Sequence, residues 1–252
     1  MNICVFAILF LTGFQYGSAS LEKAECLFYE DPYEGYVCEL HLTNPNGLDN
    51  FAAITGTHLA GFGNDDVVRV ERNVASYTTN IPTIICDTFR NLKNFDFSHD
   101  FIAEISATSF RSCSALEIVA LSENNIQRLS ADAFRFNPNL WMVYLTYNSI
   151  TDLPANLFTS LPSLRYVMLD GNALTVIHAD TFGVRPSFTN FYLNRNSISA
   201  FDERLVDNTG LRSIEFTGNS CASVDVMDET PNRDDIRAAL AVCFNNYSDR
   251  RY

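Results

Sequence analysis

The sequence predicts an α/β solenoid: a parallel concave sheet of repeated short strands, with a disulfide-bonded cap at each end. Three observations predict it. Leu92, Leu116, Leu140, Leu164 and Phe188 fall at intervals of 24 residues, and Leu211 follows after 23. An asparagine stands at the ninth position of most of these blocks. Cysteines flank the blocks on both sides. Self-similarity at this period marks stacked units, none of which can bury its apolar face alone.

Each block position has a physical task. From Leu116 the order is Val119, Leu121, Asn124, Ile126, Leu129, Phe134; the same order recurs from Leu140 and from Leu164. Alternation around the fourth to sixth positions predicts a short strand with one inward face. Stacked strands then form a parallel sheet on the inner side of an arc. The ninth-position side chains, Asn73, Asn124, Asn148, Asn172, Asn196 and Asn219, are expected to form a ladder that pairs turn backbone groups otherwise buried and unsatisfied. Asp100 interrupts it. Phe110, Phe134, Phe158 and Phe182 are expected to stack as a spine behind the sheet, and Ser130-Ala131-Asp132-Ala133 reads as a short helical turn on the outer side.

The flanks are read as caps, giving residues 1–20 as leader, 21–64 as N-terminal cap, 65–220 as repeats and 221–252 as C-terminal cap. Val68, Val70 and Asn73 fit a first, irregular unit, and residues 44–64 read as irregular. Cys26 and Cys38 bracket a short aromatic loop leading into the strand-like Val37 to Leu42, which predicts Cys26–Cys38. Thr230-Pro231 makes a helix start, after which Ile236, Leu240, Cys243 and Phe244 share one face. That face can cover the last unit and place Cys243 against Cys221. Cys86 and Cys113 lie late in adjacent units, where stacking brings them within bonding reach.

The apolar run Ile3 to Phe14, followed by Gly17, Ser18, Ala19 and Ser20, reads as a secretory leader cleaved after Ala19 or Ser20. The six cysteines beyond Cys4 fit an oxidising, extracellular setting and leave none for a covalent partner. Asn246-Tyr247-Ser248 is a sequon, so Asn246 is a candidate glycosylation site. A net charge of −13 without a basic patch argues against nucleic acid and against anionic membrane surfaces. No later stretch is apolar enough to span a bilayer.

The solvent-facing strand positions form the candidate ligand surface. The fifth positions are Arg69, Asp96, Ala120, Tyr144, Met168, Tyr192 and Glu215; the third are Asn94, Ile118, Met142, Tyr166, Asn190 and Ser213. The middle of the arc is therefore apolar and aromatic: Ile118, Trp141, Met142, Tyr144, Tyr147, Tyr166, Met168 and Tyr192. Tyr, Trp and Met enrich interface centres, and a contiguous apolar surface patch marks a partner. His41, His58, His99 and His178 show no spacing for a metal site or a nucleophile partner, and no phosphate-cradling glycine loop is present. His99 is expected beside Asp96 and Asp100 as a solvated polar cluster. No catalytic set, metal or cofactor is expected.

The block pattern resembles the leucine-rich-repeat family in its 24-residue extracellular form, strongly over residues 65 to 221. Segments such as Ile54-Thr55-Gly56-Thr57-His58-Leu59, Ile81-Pro82-Thr83-Ile84-Ile85-Cys86 and Leu116-Glu117-Ile118-Val119-Ala120-Leu121 are similar to the short secreted leucine-rich-repeat proteins of dipteran insects. The resemblance implies a non-catalytic horseshoe that recognises an extracellular protein or a microbial surface ligand, with an innate-immune role in some members. Longer immune members carry a C-terminal coiled coil and extra cysteines; here nine residues without heptads follow Cys243. The alternatives are a structural or adhesive matrix protein and an inhibitor that wraps a secreted enzyme.

Overall fold

In a computed structural model, residues 23–42, 53–72, 78–227 and 233–248 are described. The leader, Asn73 and Thr230-Pro231 lie outside the described residues. An 11-stranded sheet runs the length of the solenoid. Its regular strands are Asn94–Asp96, Ile118–Ala120, Met142–Tyr144, Tyr166–Met168, Asn190–Tyr192 and Ser213–Glu215. All pair in parallel without offset, so Ile118, Met142, Tyr166, Asn190 and Ser213 form one row across the sheet. The strands stay in step even across the 23-residue interval before Leu211, because each fourth-position side chain must meet the previous one in the core. Val119, Val143, Val167 and Phe191 are fully buried there.

The strands are three residues long because the chain turns at once. The eighth position of every regular block is left-handed: His99 (φ 61°), Glu123 (56°), Tyr147 (53°), Gly171 (67°), Arg195 (55°) and Gly218 (80°). Only two of these are glycine, so the other four carry a left-handed strain of roughly 1 kcal/mol each. The ninth-position ladder offsets it. Asn148 donates from Nδ2 to the carbonyls of Leu121 (2.9 Å) and Leu145 (3.2 Å), while its Oδ1 accepts from Ile126 N–H (2.9 Å). Asn124, Asn172, Asn196 and Asn219 repeat the pattern.

At the interruption the acceptor half of the ladder survives. Asp100 Oδ1 takes the N–H of Thr78 (3.0 Å), and its Oδ2 meets the Arg72 guanidinium (2.9 Å). Arg72 occupies the sixth position, where the regular blocks place Leu121 or Leu145. The register of the first unit is thus shifted from the sequence reading. Val70 pairs with Phe95 and Arg69 with Asn94, which puts Arg69 in the third row rather than the fifth.

Phe110, Phe134, Phe158 and Phe182 stack as a spine with ring centroids 5.8, 6.0 and 5.1 Å apart. The outer segment at Ser130–Ala133 forms the expected short turns, closed by contacts such as Ala133 N–H to the Ser130 carbonyl (3.0 Å), because a 24-residue unit leaves too little chain there for a full helix. Behind the sheet, buried Asn137 donates to the carbonyls of Phe110 and Cys113.

The N-terminal cap is more ordered than the sequence suggests. Lys23–Asp31 and Gly35–Leu42 form an antiparallel hairpin, so Cys26 and Cys38 lie on facing strands rather than around a loop. Ala53–Thr55 adds a third strand, parallel to the first, within the segment read as irregular. Phe28, Tyr36, His58 and Phe62 fill the space behind this sheet by ring stacking. At the other end the helix Arg233–Ser248 buries Ile236, Leu240 and Cys243 against the last unit. Disulfides join Cys26 to Cys38, Cys86 to Cys113 and Cys221 to Cys243, with Cα atoms 5.2, 4.9 and 5.1 Å apart. Among the described residues no helix is long and apolar enough to cross a membrane.

Candidate functional site

The concave face is built from two rows. Third-position Ile118, Met142 and Tyr166 lie side by side, as do fifth-position Ala120, Tyr144, Met168 and Tyr192. Neighbouring strands stand about 4.8 Å apart, so these side chains form one surface. Each is half-buried, lying against its neighbours with one side to solvent. Burial, with Asp96 nearby, pushes the Tyr144 phenol above its ordinary pKa; burial and then Glu215 do the same for Tyr192. Both phenols therefore stay neutral at physiological pH and keep an O–H to donate.

Two residues expected in this patch flank it instead. Trp141 stands at the rim where the strands begin, edge-on to Tyr166 with centroids 5.9 Å apart. Tyr147 stands at the opposite rim, in the left-handed turn, 49% exposed. Its ring lies over Gly171, where a Cβ would come within 2.5 Å of the Tyr147 Cδ1, and its hydroxyl accepts from Arg195 Nη1 (3.1 Å). The strand period explains the split. Trp141 stands one position before the third-position row and Tyr147 three positions after the fifth, so both lie outside the strand Met142–Tyr144.

Acidic groups border the apolar centre on both sides. Toward the N-terminus, Arg69 meets Glu71 (2.8 Å), Asp96 (3.5 Å) and Glu34. Arg69, Asp96, Ile118 and Tyr144 share a cavity of about 320 Å³. Tyr29 donates to Glu71 (2.5 Å), and burial together with that bond raises its phenol to about 12. Toward the C-terminus, burial raises Asp170 above the usual carboxylate range, and Glu215 accepts from Asn194 Nδ2 (2.7 Å). The N-terminal border went unread in the sequence. Its signal was the alternation in Lys23–Asp31, which puts Glu25, Leu27 and Tyr29 on the sheet face opposite Ala24 and Cys26 in the core.

His99 lines a polar cavity with Asp100, and its Nδ1 meets Glu123 (3.0 Å), one block along the rim. His178 bonds the Tyr247 hydroxyl (3.1 Å). Among the described residues no group of His, Cys, Asp or Glu could hold a metal ion. Asn246 is exposed on the C-terminal helix and donates to the Ser199 carbonyl (2.8 Å).

Comparison with known proteins agrees with this geometry. Residues 90–150, 119–174 and 138–198 match the family model described as Leucine rich repeat. No curated protein matches the chain. Among solved structures, the leucine-rich repeat domain of APL1, a mosquito protein, aligns with a TM-score of 0.60 at 18% identity, over 80% of this chain and 55% of its own. The Leptospira interrogans protein LIC12759 aligns at 0.54 and 19% identity, over 62% of this chain and 38% of its own. TLR13, solved in complex with ssRNA13, aligns at 0.53 and 19% identity, over 70% of this chain and 26% of its own. This chain thus spans between about a quarter and about half of these structures, and the likeness is one of fold. Residues 90–198 match the leucine-rich-repeat model and stack in a parallel-sheet solenoid, in a chain that disulfides close near both ends.

Proposed function

We propose that this protein is a secreted, non-catalytic recognition scaffold that binds an extracellular protein or microbial surface ligand on its concave face, in the service of innate immunity. The observation that carries the reading is the patch of Ile118, Met142, Tyr144, Tyr166, Met168 and Tyr192 on four adjacent strands, set between acidic borders. Aromatic and thioether side chains at the centre with polar groups around them match the anatomy of protein interfaces. The phenols add directional hydrogen bonds to the apolar area. Three disulfides support export, with cleavage after Ala19 or Ser20 and a glycan on Asn246 as parts of the same reading. The acidic borders disfavour nucleic acid as the ligand of this face. The immune role rests on the resemblance to short secreted insect proteins.

The experiment is capture from the extracellular fluid of the producing animal, comparing the wild-type chain with the Tyr144→Ala/Tyr166→Ala/Tyr192→Ala variant. A ligand held by the wild type and released by the folded variant supports the reading. Equal capture by both places the binding surface elsewhere. Mass spectrometry of the exported chain, before and after deglycosylation, checks the cleavage site and Asn246.

A further inference from the structure

The rim where the strands begin carries a second site, which adjoins the concave patch at Tyr166. Second-position residues line it in the order Lys93, Glu117, Trp141, Arg165, Thr189, Arg212. Six arginines of this acidic chain are neutralised: Arg69, Arg72, Arg128, Arg135, Arg204 and Arg237 all meet carboxylates. Arg165 and Arg212 do not. Among the described residues their exposed guanidiniums have no ion pair, hydrogen bond or ring contact. Yet both line one cavity of about 450 Å³, completed by Tyr166, Ser187, Thr189, Asn190 and Ser213, with no carboxylate in its wall. Two strand spacings, about 10 Å, separate their backbones. The small Thr189 between them leaves the space open.

A second cavity, of about 600 Å³, shares Arg165 and Ser187 with the first and is walled by Trp141. The carboxylate in its lining, Glu117, is neutralised by Lys93 at 2.9 Å. The joined groove therefore presents uncompensated positive charge, several hydroxyls, two amides and one indole. At physiological salt, charges beyond about 8 Å are screened, so the net charge of the chain does not cancel this local field for a short ligand.

We infer that this groove binds a short acidic oligosaccharide, with a sugar carboxylate between Arg165 and Arg212 and a neighbouring ring on Trp141. Guanidiniums match carboxylates in planar, charge-assisted pairs. Ser187 Oγ donates to the Pro162 carbonyl (2.8 Å) and Thr189 Oγ1 to Asn190 Oδ1 (2.8 Å), so these hydroxyl oxygens are left to accept from sugar hydroxyls while Asn190 Nδ2 can donate, and an indole face suits the C–H side of a pyranose. An acidic peptide would use the two arginines but not this polar wall.

The probe is trigalacturonate, titrated calorimetrically into the full chain, with maltotriose and triglutamate as comparisons. Trigalacturonate is expected to bind more tightly than either. Arg165→Ala and Arg212→Ala are each expected to weaken it about tenfold, as loss of a charge-assisted hydrogen bond does. Both residues are exposed, so folding is retained, as circular dichroism would verify. Thr189→Tyr, which fills the cavity and keeps both charges, is expected to block binding as well. Tyr144→Ala/Tyr192→Ala leaves it unchanged, which separates this site from the fifth-position row of the concave patch, Tyr166 being common to both. Absence of trigalacturonate binding, equal binding by the arginine variants, or triglutamate binding as tight as trigalacturonate would each overturn the inference.

Discussion

Replacing Arg72 by methionine isolates the one place where the asparagine ladder is rewritten as an ion pair. The Arg72 side chain is 4% exposed and that of Asp100 is 1% exposed. Arg72 Nη1 also donates to Thr78 Oγ1 (2.8 Å), and its guanidinium lies 5.1 Å from the Phe97 ring centroid. Its Nε is buried without a hydrogen-bond partner. Removing one member of a buried pair costs about 3–5 kcal/mol, because the other charge remains uncompensated. Here Asp100 keeps the N–H groups of Thr78 (3.0 Å) and Phe101 (3.2 Å), so the lower end, about 3 kcal/mol, is expected for Arg72→Met. For a chain of this size that is a fall in Tm of about 6–12 °C.

Arg72→Met/Asp100→Asn restores the regular pairing of an apolar sixth position with a ninth-position amide. The new Oδ1 keeps the Thr78 N–H, and the new Nδ2 meets the Phe97 and Ser98 carbonyls as Asn124 meets those of Leu121 and Ser122. The double variant is therefore expected within about 1 kcal/mol of wild type, or above it, since apolar replacements of buried pairs are often neutral or stabilising. Denaturant unfolding of the four proteins, disulfides intact, measures the coupling. A loss below about 1 kcal/mol in Arg72→Met, or a double variant no more stable than the single, would falsify this account of the pair.

Asn148→Ala orphans the Ile126 N–H, whereas the Leu121 carbonyl keeps Asn124 (3.1 Å); a loss of about 1–3 kcal/mol is expected in denaturant unfolding, against under about 0.5 kcal/mol for exposed Asn125→Ala. Gly171→Ala forces a left-handed alanine (φ 67°) into the Tyr147 ring, which predicts a loss of about 1–2 kcal/mol that shrinks when Tyr147→Ala is combined with it; equal penalties in both backgrounds would show that the ring contact costs nothing. Tyr29 is expected to ionise near pH 12 in an absorbance titration, in a step that Tyr29→Phe removes. Because its folded pKa is raised, its contribution to stability is complete below pH 10.0 and fades as pH climbs through about 12.

The regular blocks were legible because every unit repeats the same constraint. Leu116, Val119, Leu121 and Asn124 each face an identical neighbour 24 residues away, so period alone assigns core, sheet and ladder. Legibility fell where the repetition stopped. Arg69 was placed one row off because the first unit carries no Leu–Asn frame, and Arg72 with Asp100 takes its place. The Lys23–Asp31 strand was missed because its apolar residues face a cap filled by Phe28, Tyr36, His58 and Phe62, a set drawn from distant chain segments.

What the sequence by itself determined is the solenoid: its parallel sheet, its phenylalanine spine, and the residues of the two concave rows from Asn94 onward, all local consequences of a 24-residue period. Tertiary structure alone decided what those rows border. Stacking carried Trp141 and Tyr147 to opposite rims, joined Arg69 to Glu34 and Glu71 across the cap boundary, and brought Arg165 and Arg212 to one cavity. Side-chain neighbours across strands depend on register and on which residue stands between, as small Thr189 does between the two arginines, and neither is written in any single block.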